Sequence, residues 1–107
     1  MIKKEMGKLN FNDTSRNIFN KIRGFYNWPS TFCEYLGENI KIHRAEISEE
    51  NPKESIGTIF KVSDDAIFVK TLDGSIKLLE IQFSDKKRVL VKDYLRGNSI
   101  KVGEILK

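Results

Sequence analysis

The side chains able to do chemistry are few, and most of them are explained without it. Asp64 and Asp65 are adjacent carboxylates. General acid–base work uses carboxylates in pairs, but neighbours in a strand–turn region point in different directions, and a solvated turn accounts for them. Cys33 and His43 offer a thiol and a base, yet no third orienting group and no elbow motif accompanies them, and a lone cysteine is commonly a small buried residue. One cysteine and one histidine fall short of a Cys/His zinc site, and a single cysteine makes no internal disulfide. Leu72-Asp73-Gly74-Ser75 has one glycine and no Gly-Lys-Ser/Thr ending, which makes it a hairpin rather than a phosphate-binding loop. The expectation is a module that is not itself catalytic, with no metal and no cofactor of its own.

What remains is electrostatic. The 107 residues carry 19 Lys and Arg against 15 Asp and Glu, a formal net charge of +4. From Ser15 to Cys33 there are three cations, Arg16, Lys21 and Arg23, and no acid; from Asp85 to Lys92, Lys86, Lys87, Arg88 and Lys92 face Asp85 alone. The acids gather in Glu46, Glu49, Glu50 and Glu54, so the molecule is expected to be polarised. Arg23, Lys41, Arg44, Lys86, Lys87 and Arg88 are the candidates for one cationic surface. Such a surface suits a phosphate backbone recognised by shape, there being no RNP-type strand, GXXG loop or zinc-finger spacing. The competing reading of any one of them is a solubilising surface charge. For Arg23 it is an ion pair or carbonyl-capping bond at a helix end.

The elements that must position these residues follow from periodicity. Residues 1–12 are polar without a period and read as a linker; 13–107 read as one domain, a usual size, large enough to bury roughly 65% of its unfolded surface. Asp13, Thr14 and Ser15 are candidate N-caps for a helix with Ile18, Phe19, Ile22, Phe25 and Tyr26 on one face and Arg16, Asn20 and Arg23 on another. In NKIRGFYNWPS, Gly24 and Pro29 end that helix in a corner, with Phe25 and Trp28 expected as core plugs. Strands are expected in TFCEYL and NIKIHRAEI around a Gly37-Glu38 turn, then in GTIFKV, and in AIFVKT and SIKLLEI around Asp73-Gly74. VLVKDYL suggests a helical turn ended by Gly97, and SIKVGEIL a last strand. The sum is mainly β: a small OB-like barrel with one N-terminal helix and a short helical turn near the C-terminus. No apolar run approaches the roughly 18 to 20 residues of a membrane span, and MIKKEMGKL lacks a signal peptide's apolar core. A soluble cytoplasmic monomer with no membrane partner is expected.

In this order, the residues resemble the C-terminal domain of methionyl-tRNA formyltransferase. MIKKEMGKLNF is similar to that family's linker, Met-Ile-x-Lys-Glu-x-Gly-x-Ile-Asp followed by an aromatic, with Leu9 and Asn10 in place of the last Ile and Asp. IFNKIRGFYNWPSTF resembles its Ile-Arg-x-x-x-Pro-Trp-Pro-Gly-Ala segment at Ile22, Arg23, Trp28 and Pro29. IKIHRAEI, the GTI at 57–59, DGSIKLLEIQ, DKKRVLVKDYLRG and the closing VGEIL follow in the family's order. Asn27 stands where the family usually has Pro, Ser30 and Thr31 replace Gly-Ala, and His43 takes a position often aromatic.

The resemblance implies a two-domain enzyme in which an upstream Rossmann-like domain moves the formyl group of 10-formyltetrahydrofolate to methionyl initiator tRNA. It implies that Met1 is internal to a longer protein, that the linker and barrel hold the tRNA, and that the catalytic domain is the other partner. Lys3, Lys4 and Lys8 would then extend the cationic track along the linker. The alternative is a structural or docking barrel of another formyltetrahydrofolate-dependent formyltransferase.

Overall fold

The computed structural model describes residues 4–27 and 29–107, the side chains of Lys4 and Glu5 excepted. A 3-10 turn, Lys4–Gly7, precedes helix α1, Ser15–Gly24. The strands are β1 (Thr31–Tyr35), β2 (Glu38–Ser48), β3 (Ile59–Val62), β4 (Ile67–Lys70), β5 (Ser75–Phe83) and β6 (Val89–Leu90), followed by the short helix α2, Val91–Tyr94.

Helix α1 starts where its caps allow. Thr14 Oγ1 accepts the Asn17 amide at 3.1 Å, and the Ser15 amide is taken by Asp73 Oδ1 at 2.9 Å, so orphan donors of the first turn are satisfied from two directions. The Ser15 hydroxyl is buried between Thr71 Oγ1 (2.7 Å) and the Ser75 carbonyl (2.9 Å), which pins the helix start to the β4–β5 turn. Ile18 and Ile22 are each 2% exposed and anchor α1 to the sheet. Each such side chain is worth about 1.5–3 kcal/mol of transfer free energy. Phe25 and Tyr26, expected on the same packing face, are only half-buried and lie outside the core; Trp28 falls outside the described residues.

The sheet runs in the order β1-β2-β5-β4-β3, every pairing antiparallel, with β6 added to β5. The β1–β2 hairpin turns at Leu36 and Gly37 (φ 51° and 81°), one position earlier than Gly37-Glu38, as a two-residue loop with both central residues left-handed requires. The 71–74 turn closes with the Thr71 amide on the Gly74 carbonyl at 3.0 Å.

The edges β1 and β3 do not pair with each other, so the sheet is not a closed barrel. The C-terminal segment lies across the gap. Lys107 and Glu34 exchange backbone hydrogen bonds at 3.0 and 3.4 Å, while the amides of Leu106 and Gly103 reach the Gly57 and Ile59 carbonyls at 2.8 and 2.7 Å. Residues 103–107 thus form a seam bonded to both edges, and 99–106 are not the expected regular strand. Inside, Ile42, Ile59, Ile76, Leu78 and Ile81 are at most 1% exposed, and the residual cavity is about 10 Å³. The interior has no room for a ligand, so function belongs to the outer surface.

Residues 7–11, read from sequence as linker, are stitched to that surface. Leu9 donates its amide to the Phe32 carbonyl at 2.8 Å, and Leu9 and Phe11 are 2% and 4% exposed. Two apolar side chains suffice to dock a polar segment whose period is too short to read.

Candidate nucleic-acid interface

The surface is built on the outward face of β2 and β5, on the end of α1 and on the turn before β6. In β2 the register slips between Ile42 and Arg44 and again between Arg44 and Ala45. This irregularity breaks the alternation: Lys41 and Arg44 are exposed, and His43 between them is 3% exposed although strict alternation would turn it outward.

Tyr26, just beyond α1, covers His43 edge-on, ring centroids 6.2 Å apart. Around Tyr26 two cations meet. Arg88 donates from Nη1 to the Tyr26 hydroxyl at 2.7 Å with its guanidinium carbon 5.1 Å from the ring centroid, and Arg44 lies 5.7 Å from the same centroid. Arg23 joins them from α1, lining one groove with Tyr26, His43 and Arg44. Its guanidinium is held by Asn20 Oδ1 at 3.1 Å and lies 5.2 Å from the Phe19 ring, so it makes neither the helix-end carbonyl cap nor the ion pair that sequence left open.

His43 is the pivot beneath these cations. Gln82 Nε2 donates to the Lys86 carbonyl at 2.9 Å, which fixes its amide so that Oε1 faces His43 Nε2, also at 2.9 Å. His43 therefore donates from Nε2, leaving Nδ1 a buried acceptor with no partner among the described residues. Burial pushes its pKa below the usual value, reinforced by Arg88 and Lys41 and opposed by the Gln82 bond and Glu80. One chain of contacts, His43 to Gln82 to Lys86, ties the 84–88 turn to β2.

Lys41 lies opposite Gln82 on β5 and Phe32 on β1. Lys8 Nζ is 5.7 Å from the Phe32 ring centroid and donates to the Lys107 carbonyl, so it neighbours Lys41 across one ring. Lys86 and Lys87 are exposed on the turn. Lys3 and the Lys4 side chain lie outside the described residues. Of the described candidates, Arg44 alone has an Asp or Glu side chain within ion-pair reach, Glu80 Oε1 at 3.3 Å, without hydrogen-bond alignment. The acids Glu46 and Glu50 pair instead with Lys77 (3.5 Å) and Lys61 (3.1 Å).

The groups with catalytic residue types are elsewhere engaged. Cys33 is fully buried in the core, where burial raises its pKa to about 12, so it stays a thiol. Asp64 and Asp65 are exposed in the β3–β4 turn, where Asp65 accepts from the Ser63 hydroxyl at 3.0 Å. No cluster of His, Cys, Asp and Glu among the described residues is suited to a metal, and no described helix is long and apolar enough to cross a membrane. Sequence reasoning missed Tyr26 and His43 as organisers of the surface. Their partners Arg88 and Gln82 are remote in the chain, and neither residue carries a motif.

A family profile described as "Formyl transferase, C-terminal domain" matches residues 1–99. Methionyl-tRNA formyltransferase of Clostridium acetobutylicum is 42% identical over 107 residues, all of this chain and 34% of that protein. That of Alkaliphilus metalliredigens is 41% identical over 106 residues, 99% of this chain and again 34% of the relative. The chain thus spans about a third of the length of these relatives. Among solved structures, HypX from Aquifex aeolicus in complex with tetrahydrofolic acid superposes with a TM-score of 0.71 at 16% identity, over 97% of this chain and 21% of HypX, a likeness of fold alone. With the profile covering nearly its whole length, the chain belongs to the formyl transferase C-terminal domain family.

Proposed function

We propose that the chain is the tRNA-holding C-terminal domain of a methionyl-tRNA formyltransferase, with residues 1–12 as the end of the interdomain linker and 13–107 as the domain. In that reading, the formyl group of 10-formyltetrahydrofolate passes to methionyl initiator tRNA in the catalytic domain of the same protein, and this domain supplies binding and orientation. The cations bind phosphates and release counterions, so affinity falls with salt by about 0.7–0.9 log units per contact. The protein works in the cytoplasm, where its tRNA partner is, as a monomer. The observation that carries the proposal is the gathering of Arg23, Arg44 and Arg88 around Tyr26, where Glu80 is paired with Arg44 and the other carboxylate of the groove, Glu46, is paired with Lys77.

The competing reading is a structural or docking barrel of another formyltetrahydrofolate-dependent formyltransferase; HypX, which shares the fold, is seen in complex with tetrahydrofolic acid. Such a barrel does not need cations gathered on one face. Titration of this chain with initiator tRNA at low and moderate salt separates the two. The tRNA-holding reading expects binding that weakens steeply with salt, and a salt slope shallower by about 2 once Lys86, Lys87 and Arg88 are changed to Ala. Unchanged affinity in both comparisons rules it out.

A further inference from the structure

We infer that the recess between β1 and the 84–85 turn binds one unpaired nucleobase of the RNA whose paired backbone lies on the neighbouring cations; this rests on the RNA-holding reading above. The recess, about 210 Å³, is walled by Phe32, Pro29 and Phe83, with Lys41, Asn39 and Asp85 on its polar side. Three observations select this ligand. Phe32 is half-buried on the outward side of β1, and its ring is flanked by cations, Lys41 as its cross-strand neighbour and Lys8 at 5.7 Å from the centroid. Aromatic rings beside backbone-neutralising lysines are how proteins hold unpaired bases, since every base offers a π-face and brings a phosphate with it. The polar side combines donors and acceptors, Asn39 and the Asp85 carboxylate, which suits the mixed edge of a base better than a purely apolar side chain.

The recess and the cationic groove share no wall but are linked by one hydrogen bond. Gln82 lines the recess while hydrogen-bonding to His43, which lines the groove at Tyr26. A strand leaving a duplex held at Arg44 and Arg88 therefore meets Phe32 next along the same outer face. The fold supplies the direction as well as the pocket, because β1 lies beside β2 at the sheet edge.

The test compares a blunt RNA hairpin with the same hairpin carrying a short single-stranded 3′ tail, each titrated at low salt. The wild-type chain is expected to bind the tailed hairpin about tenfold more tightly. Phe32→Leu is expected to abolish that increment while leaving the blunt hairpin's affinity unchanged. Aminopurine placed in the tail should also lose fluorescence on binding the wild-type chain, a stacking readout that requires no variant. A blunt hairpin that binds with no tail increment and no quenching overturns the recess alone. Failure of the blunt hairpin to bind at all overturns the backbone reading and the recess with it.

Discussion

Arg88 and Tyr26, 62 positions apart, are joined by a hydrogen bond of 2.7 Å from guanidinium to phenol. The bond fixes the exposed end of the 84–88 turn to the end of α1 and holds a cation in place before any partner arrives. Preorganisation of this kind lowers the ordering cost that an exposed arginine otherwise incurs on binding.

Removal of the phenol tests that cost. Tyr26→Phe keeps the ring and its cation contacts but frees Arg88, and tRNA affinity is expected to fall about threefold, or ~0.6 kcal/mol, in the range of a single hydrogen bond. In Arg88→Ala the same Tyr26 change should have little further effect. Additive losses in the double variant, measured by tRNA titration, would show that the two residues act separately.

Of three non-glycine residues with positive φ, Asp85 (φ 60°) is of a type that tolerates the left-handed region, and backbone strain is stored at the other two. Ser30 (φ 73°) follows Pro29 at the corner before β1, and Leu36 (φ 51°) is the first residue of the β1–β2 turn, 66% exposed. Ser30→Gly and Leu36→Gly are each expected to stabilise by about 1 kcal/mol, because glycine adopts the left-handed region without a Cβ clash. Urea unfolding reads the effect; a loss of stability in both variants would refute the strain argument.

Gly7 makes the opposite case. A Cβ there would clash with the Ser30 carbonyl oxygen, a backbone atom that cannot swing away. Gly7→Ala is expected to cost about 1–3 kcal/mol, or to detach residues 7–11 from the β1 edge. Hydrogen exchange at the Leu9 amide, protected by Phe32, distinguishes detachment from a uniform loss.

Acid should weaken the domain through His43. Its folded pKa is depressed, so between the ordinary value of 6.5 and the folded value the unfolded chain binds more protons than the folded one. Stability is therefore expected to fall as pH drops below about 6.5, and to level off once the folded histidine is also protonated. In His43→Phe the fall across that window should disappear. Asp73, whose carboxyl is held below its usual pKa chiefly by the Ser15 amide, adds a second decline only at more acidic pH, as it becomes protonated. Melting temperatures recorded across pH for both chains decide it; an unchanged pH profile in the histidine variant would assign the effect elsewhere.

Much was legible in the sequence because it is local. Thr14 as cap, Ile18 and Ile22 as the buried stripe, the Asp73-Gly74 hairpin and the helical turn before Gly97 each depend on residues a few positions apart, whose periodicity and turn preferences act before any long-range contact forms. The cationic residue types were visible as well, in Arg23, Lys41, Arg44 and the 86–88 run.

Tertiary structure decided the rest, for reasons of distance. A register slip in β2 buried His43 between two exposed cations, a choice set by pairing with β5 and absent from local alternation. Docking of Leu9 and Phe11 turned a polar arm into part of the sheet edge, and the C-terminal segment chose to bridge two edges where a propensity reading expects a strand. The sequence alone determined which charges and which elements exist. Only the folded chain, by bringing the 84–88 turn onto the α1 corner, decided which of those charges stand together, because that proximity depends on strand order and not on any neighbour in sequence.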